Sequence, residues 1–201
     1  MNISLKNKIA FLKSLNINCN NSEIQVSNIG FYSFSTKIDL DEQQINKLLS
    51  DEYLSFLSIN KKIYVNLPIV EIINGYIIRR NALSFHQNDD FIRKNVHILI
   101  EKNLNNISSI LFIGGVMYLF GKIFKNFYKS AYFVSDYISI VNDTILNGID
   151  KNYVEHVNYD NYVINRRYDI AICNTGKSGL GNLCNQLKLL NKIIIISCNI
   201  K

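Results

Sequence analysis

Residues 109–115 read SILFIGG, an apolar stretch with strand character that runs directly into two glycines. Similar stretches follow as AYFVS at 131–135, DIAIC at 169–173 and KIIIIS at 192–197, with a weaker one at 153–157. Segments with helical spacing of apolar residues stand between them, at 89–102, 118–128, 138–147 and 182–190. Strands that alternate with helices in this way indicate parallel βαβ units. The sequence therefore predicts an α/β domain of nucleotide-binding type over residues 81–201.

The region before it, residues 1–80, is expected to be small and of α+β type. Apolar spacing predicts a helix over residues 3–15, with Ile9, Leu12 and Leu5 facing inward. Alternation over residues 23–38 predicts two short strands, and Asp39 or Asp41 can cap a helix that includes residues 45–49. Residues 62–65 and 72–79 are expected to form another strand pair.

The composition favours a compact globular protein over a disordered one. The chain has 201 residues, of which 48% are hydrophobic, and it contains one proline. A formal net charge of +6 is compatible with a polyanionic partner without requiring one. No signal peptide is apparent, and the apolar run at 107–121 is shorter than the about 20 residues that cross a membrane. We expect a soluble, cytoplasmic protein.

The cysteines and histidines show no metal-ligand spacing. Cys19, Cys173, Cys184 and Cys198 form no C-x-x-C pair, so neither a zinc ribbon nor an iron–sulfur framework is predicted. Reduced thiols are expected. Cys198 ends the last strand, where a thiolate could act as a nucleophile, and the alternative is an inert thiol at a strand end.

Ligands of open α/β sheets bind over the carboxyl ends of the strands. Gly114 and Gly115 follow the first strand, and Asp136 follows the second. Glycines allow close approach of the backbone to a cofactor, and a carboxylate at the second strand tip can accept hydrogen bonds from ribose hydroxyls. This pattern fits an adenosine-type cofactor, and the alternative is a pair of turn glycines beside a solvated aspartate. Residues 174–178 (NTGKS) resemble the end of the phosphate-binding P-loop motif G-x-x-x-x-G-K-[ST]. Ala171 occupies the position of the first glycine of that motif, so a P-loop is not predicted.

Three segments together resemble the tRNA and rRNA (uracil-5-)-methyltransferase family. Residues 84–89 (SFHQND) resemble its Ser-Phe-x-Gln-x-Asn segment, and residues 174–181 (NTGKSGLG) resemble its Asp-Pro-Pro-Arg-x-Gly-Leu loop. Residues 197–199 (SCN) resemble the Ser-Cys-Asn-Pro segment that holds the nucleophile. Residues 133–148, which end in Asn-Gly, are similar to the family's acidic strand tip and the helix after it. The resemblance covers roughly residues 75–201.

The resemblance implies a Rossmann-like methyltransferase domain that uses S-adenosylmethionine to methylate C5 of uracil in tRNA or rRNA. Cys198 would add to C6 of the uracil, which makes C5 nucleophilic enough to accept a methyl group, and a base would then remove the C5 proton. The other roles that the likeness assigns are a place beside the uracil for Asn174, RNA binding for Lys177, and cofactor binding for Gln87, Gly114, Gly115 and Asp136.

The chain also departs from the family pattern. Val116 replaces a second glycine, Asn174 and Lys177 replace an aspartate and an arginine, and the family's downstream glutamate base has no counterpart. Two further strands of the family's sheet are also without counterpart, so the strand at 192–197 should lie at an open edge. Either the N-terminal region, a second copy or another protein covers this edge, or the protein is marginally stable. Two alternatives remain: an inactive methyltransferase-like protein that binds RNA or a protein partner, and a different Rossmann-like transferase with a convergent Ser-Cys-Asn segment.

Overall fold

A computed structural model of the chain describes residues 5–84, 90–115, 117–175 and 179–197. The chain divides into two compact units, Met1–Leu83 and Ser84–Lys201. None of the helices among these described residues is long and apolar enough to cross a membrane.

The first unit, from residue 5 to residue 83, forms two sheets and two helices. Its elements are α1 (Leu5–Ser14), β1 (Ser22–Val26), β2 (Tyr32–Thr36), α2 (Glu42–Leu49), β3 (Leu54–Ile59), β4 (Lys62–Asn66), β5 (Ile69–Ile73) and β6 (Tyr76–Arg80). One sheet has the order β1-β2-β3-β4, in which β2 and β3 are parallel and the other pairs are antiparallel. The other sheet is the antiparallel hairpin of β5 and β6.

The two helices show how local sequence fixes this unit. Asp41 caps α2: its side chain accepts a hydrogen bond from the Gln44 amide, and the Gln44 side chain accepts one from the Asp41 amide. Leu12 of α1 is fully buried, as predicted, but Leu5 is exposed, which corrects the inward orientation expected for it. Lys8 is buried instead, because its ammonium group lies 2.9 Å from Asp51 and 4.1 Å from the ring centroid of Tyr32.

The predicted strand pair of residues 62–65 and 72–79 is wrong. β4 pairs with β3, and residues 69–80 form a hairpin of their own around Asn74 and Gly75. Strand β3 was missed because nearly all of it is buried, so its sequence LSFLSI lacks the alternation of a half-exposed strand. At the end of the hairpin, the Arg80 side chain is buried and its Nε lies 2.8 Å from Oε1 of the buried Glu71.

The second unit is built on one parallel sheet. Its elements are α3 (Asp90–Asn103), β7 (Ser109–Gly114), α4 (Met117–Ile123), β8 (Ser130–Ser135), α5 (Ile138–Leu146), β9 (Val154–His156), β10 (Ile170–Thr175), α6 (Leu183–Leu187) and β11 (Ile193–Ser197). The strand order is β11-β10-β7-β8-β9, and every pair is parallel. The predicted α/β class is confirmed. The helix expected at 118–128 is shorter, because a 3₁₀ turn at Lys125–Phe127 follows α4.

Apolar side chains fill both faces of this sheet. On one face Leu111 and Ile113 of β7 pack in a buried cluster with Leu183 of α6. On the other face Phe112 stacks on Phe133 of β8, with ring centroids 4.9 Å apart. Each such side chain contributes about 1.5–3 kcal/mol when it is fully buried. Because both faces of the sheet are covered, successive residues of each strand are buried, and the strand sequences are continuous apolar runs.

Two features of β10 and β11 bear on the chemistry of the cysteines and on the sheet edge. Cys173 of β10 is buried, and this burial raises the pKa of its thiol to about 12, so it is not a nucleophile at neutral pH.

Strand β11 lies at one edge of the sheet, where Ile195 is exposed.

Candidate functional site

The carboxyl ends of β7 and β10 are joined by a hydrogen bond. The Gly115 amide donates to the Asn174 carbonyl oxygen across 2.7 Å. Gly114, just before it, has a φ of +89°, and a Cβ at this position would overlap the same Asn174 carbonyl. Glycine is therefore required here both by backbone conformation and by the close approach of β10.

A cavity of about 440 Å³ opens at the carboxyl ends of the neighbouring strands. Asp136, which directly follows β8, is half-buried in its wall, and its carbonyl oxygen lies 3.1 Å from Nε2 of His156. We call this space the carboxyl-edge cavity. Its lining residues come from the ends of β8 and β9 and from the loop before α6: Asp136, His156, Val157, Asn158, Tyr159, Asp160, Gly179 and Gly181.

Tyr159 brings a buried polar group to this cavity. Its side chain is 7% exposed, and its hydroxyl has no hydrogen-bond partner among the residues that the structure describes. Burial raises the pKa of this phenol, and the nearby charge of Asp136 raises it further. The phenol oxygen lies 3.5 Å from the point that a Cβ on Gly114 would occupy. It therefore lies close to both the glycine turn and Asp136, and Ser135 and Asp136 are the polar groups nearest to it.

The loop that closes the cavity is tied to the segment after β9. The Asn182 amide donates to a carboxylate oxygen of Asp160 across 3.3 Å, and the Asn182 side chain donates to the Asp160 carbonyl oxygen. The Asp160 amide in turn donates to Oδ1 of Asn158. These contacts hold residues 179–182 against the end of β9, so the wall of the cavity is fixed on this side.

The residues predicted from the sequence fall into three groups in the structure. Gly114, Gly115 and Asn174 meet at the tips of β7 and β10, and Asp136 lines the carboxyl-edge cavity. The remaining three lie outside the described residues: Gln87, Lys177 and Cys198.

Sequence reasoning missed the contribution of the segment after β9. His156, Asn158 and Tyr159 line the cavity. Strand β9 has only three residues, so its end was not among the strand ends from which ligand contacts were expected. The rule that ligands bind over the carboxyl ends of parallel strands could have identified them, because even a short strand of such a sheet ends at the same edge.

Together the strand order, the parallel pairing and the helical crossovers define a Rossmann-like methyltransferase fold. A solved structure with this fold is that of Pyrococcus abyssi tRNA (uracil-54, C5)-methyltransferase in complex with S-adenosyl-L-homocysteine. The two chains share 17% sequence identity and superpose with a TM-score of 0.62 over 88% of this chain and 49% of the other. This likeness shows the fold.

The chain spans about half the length of that archaeal enzyme. No protein-family model matches its sequence, and no curated protein matches it either.

Proposed function

We propose that the protein transfers a methyl group from S-adenosylmethionine to C5 of uracil in tRNA or rRNA, through an adduct with Cys198. The observation that carries the cofactor half is the carboxyl-edge cavity, which is lined by Asp136 and by the buried Tyr159. The resemblance of residues 84–89, 174–181 and 197–199 to uracil-5-methyltransferases supports the uracil half. A cytoplasmic location, where RNA is abundant and thiols stay reduced, belongs to the same proposal.

The described residues suit a cofactor of adenosine type. Ligand cavities of small molecules measure about 300–1,000 Å³, and the carboxyl-edge cavity lies in this range. The Asp136 carboxylate can accept hydrogen bonds from two ribose hydroxyls, and the Tyr159 phenol can bond a further polar atom of the ligand. The turn at Gly114 lets a ligand approach the backbone closely, and Gln87 belongs to the same set by resemblance. S-adenosylmethionine supplies an electrophilic methyl group.

Cys198 provides the activation that uracil needs in this proposal. Its thiolate adds to C6 of the base, which delocalises the electron pair of the C5–C6 double bond over C5 and the oxygen of the neighbouring C4 carbonyl. The nucleophilic C5 takes the methyl group, a base removes the C5 proton, and the returning electron pair expels the thiolate. Asn174 is proposed to lie beside the uracil, and Lys177 to contact the RNA phosphates.

We expect S-adenosylhomocysteine to bind the wild-type protein in isothermal titration calorimetry and to bind Asp136→Asn about 10- to 100-fold more weakly. The physical reason is the loss of charge-assisted hydrogen bonds to ribose. Glu101→Gln is the matched control, since it removes one carboxylate charge from an exposed position on α3 and should leave affinity unchanged. Absence of heat with millimolar ligand and wild-type protein would remove the cofactor from the proposal.

An RNA that contains 5-fluorouridine should form a covalent adduct with the protein in the presence of S-adenosylmethionine. Fluorine at C5 cannot leave as a proton does, so the adduct persists and shifts the protein band in a denaturing gel. Cys198→Ala should abolish the shift, whereas Cys184→Ala, which changes an exposed free thiol, should retain it. An adduct that survives in Cys198→Ala would refute the assigned nucleophile.

A methyltransferase-like protein that binds RNA or a protein partner without methyl transfer is the second candidate. The observation that favours it is Asn174, whose amide stands at the tip of β10 where the family likeness would place a carboxylate. An amide keeps the shape of the side chain and loses its negative charge. RNA binding without any 5-fluorouridine adduct would support this candidate over the first.

A further inference from the structure

The second unit has another cavity, at the opposite edge of its sheet. It has a volume of about 590 Å³ and adjoins Ser109, the first residue of β7, and Asp169, which precedes β10. It therefore lies at the amino ends of the strands, away from the carboxyl-edge cavity. We call it the amino-edge pocket, and the residues on which its chemistry depends are Ile164, Arg166, Arg167, Tyr168, Gln186 and Leu189.

Two strong acceptors of this pocket are already engaged. Oδ2 of Asp169 accepts hydrogen bonds from the amides of Ser108 and Ser109, each across 2.8 Å, and these bonds lower the pKa of Asp169. The side-chain oxygen of Gln186 accepts from the Ile164 amide across 2.7 Å, while its amide group donates to a backbone carbonyl. The Gln186 side chain and one oxygen of Asp169 are thus committed to holding the pocket walls.

The donors of the pocket are unused. Arg166 and Arg167 are exposed, and neither guanidinium hydrogen-bonds or pairs with any residue in the described part of the chain. The Tyr168 side chain is 9% exposed, and its hydroxyl likewise has no hydrogen-bond partner there. Two guanidinium groups line the pocket with one carboxylate, that of Asp169, and a second carboxylate, Glu155, lies nearby on the Tyr132 hydroxyl, so the case for an anion depends on the free N–H donors and not on an excess of positive charge. This combination selects an acceptor-rich anion.

Arg166 is held in an orientation that suits such a ligand. Its guanidinium carbon lies 5.1 Å from the ring centroid of Tyr132, whose hydroxyl donates to Glu155 across 3.1 Å. A guanidinium stacked on an aromatic ring loses little conformational freedom on binding and still presents its N–H groups at its edge. Such a planar fork matches two oxygens of a phosphate group.

Apolar surface beside the arginines adds a second requirement on the ligand. Leu189 is 84% exposed, and Ile164 and Leu190 are half-buried in the same wall. Inorganic anions gain nothing from such surface, whereas the base of a nucleotide can cover it.

We propose that the amino-edge pocket binds the phosphate group of a nucleotide through Arg166 and Arg167, with the base against Leu189. The nucleotide is either free or part of a single-stranded RNA, since both offer the same chemistry. Tyr168 donates its hydroxyl to the same ligand. The site is separate from the carboxyl-edge cavity, and it does not depend on methyl transfer.

The test measures binding of a fluorescent, uridine-rich RNA oligonucleotide by anisotropy, and of uridine monophosphate and inorganic phosphate by calorimetry. Wild-type protein should bind the oligonucleotide or the mononucleotide more tightly than inorganic phosphate. Arg166→Ala combined with Arg167→Ala should weaken that binding about tenfold or more, because charge-assisted hydrogen bonds are lost. If RNA is the ligand, the slope of log affinity against log salt should also fall by about one to two.

Matched variants separate this site from general charge. Lys61→Ala combined with Lys62→Ala removes two exposed positive charges from the first unit, one of them beside the Tyr64 ring, and should change affinity little. Arg166→Lys combined with Arg167→Lys keeps the charge and should still weaken binding, and Tyr168→Phe should weaken it too. Preference for the oligonucleotide over uridine monophosphate identifies RNA as the source. The proposal would be overturned if removing Lys61 and Lys62 weakened binding as much as removing Arg166 and Arg167. It would also be overturned if the two arginine substitutions to alanine left binding unchanged.

Discussion

Gly114→Ala should lower the free energy of unfolding by about 2–6 kcal/mol in urea denaturation followed by circular dichroism. A non-glycine residue at a φ of +89° costs about 1–3 kcal/mol, and forcing the new methyl group against the Asn174 carbonyl costs about 1–3 kcal/mol more. Strand β10 must shift to relieve the overlap, which breaks the hydrogen bond from the Gly115 amide. Hydrogen exchange of that amide should therefore become faster.

Gly148→Ala is the matched control for this prediction. Gly148 follows α5 with a φ of +90°, but in the described part of the chain no atom other than those of its chain neighbours lies within 4 Å of the position that its Cβ would occupy. The control therefore carries only the backbone cost, about 1–3 kcal/mol. Equal destabilisation by the two substitutions would show that the contact between β7 and β10 is not the source of the effect.

Arg80→Met is expected to destabilise the first unit by about 3–5 kcal/mol, because it removes the Arg80 guanidinium from the buried ion pair with Glu71. The side chains of Arg80 and Glu71 are 1% and 4% exposed, so water cannot replace the lost partner. Gln25 also loses the hydrogen bond that its side-chain oxygen accepts from Arg80. Hydrogen exchange of the amides in β5 and β6 is the appropriate measurement, since it reports on this unit alone.

Removing both charges should recover most of the loss. Arg80→Met combined with Glu71→Leu replaces the ion pair by apolar side chains, and such replacements are often neutral or stabilising. Lys62→Met, at an exposed position on β4, should change stability by less than about 0.5 kcal/mol. A loss below about 1 kcal/mol in Arg80→Met would mean that the ion pair contributes little to this hairpin.

The parallel sheet could be predicted because its strands are buried on both faces and therefore stand out as apolar runs such as SILFIGG. Burial hid β3 in the first unit, since LSFLSI is too short and too weakly alternating to be recognised as a strand, although α2 precedes it. The inward orientation of Lys8 was also beyond the sequence, because it depends on Asp51 and Tyr32, which only the folded chain brings to it.

The residues of the candidate site that directly follow a clearly apolar strand could be predicted from the sequence. Gly114 and Asp136 each follow a strong strand, so the rule of strand ends was enough to single them out. Tyr159 carries no such mark, since a tyrosine after a three-residue strand looks like an ordinary surface residue. Its importance arises from burial without a hydrogen-bond partner among the described residues, which is a property of the packed structure.

The bond between the Gly115 amide and the Asn174 carbonyl oxygen links the tips of β7 and β10 to each other. A ligand that displaces one of these strand tips must stretch this hydrogen bond or displace the other tip as well. If ligands bind at both tips, we expect occupancy of one to change the affinity of the other, and by the same factor in both directions. A protein with two linked sites of this kind can bind its two ligands in a preferred order.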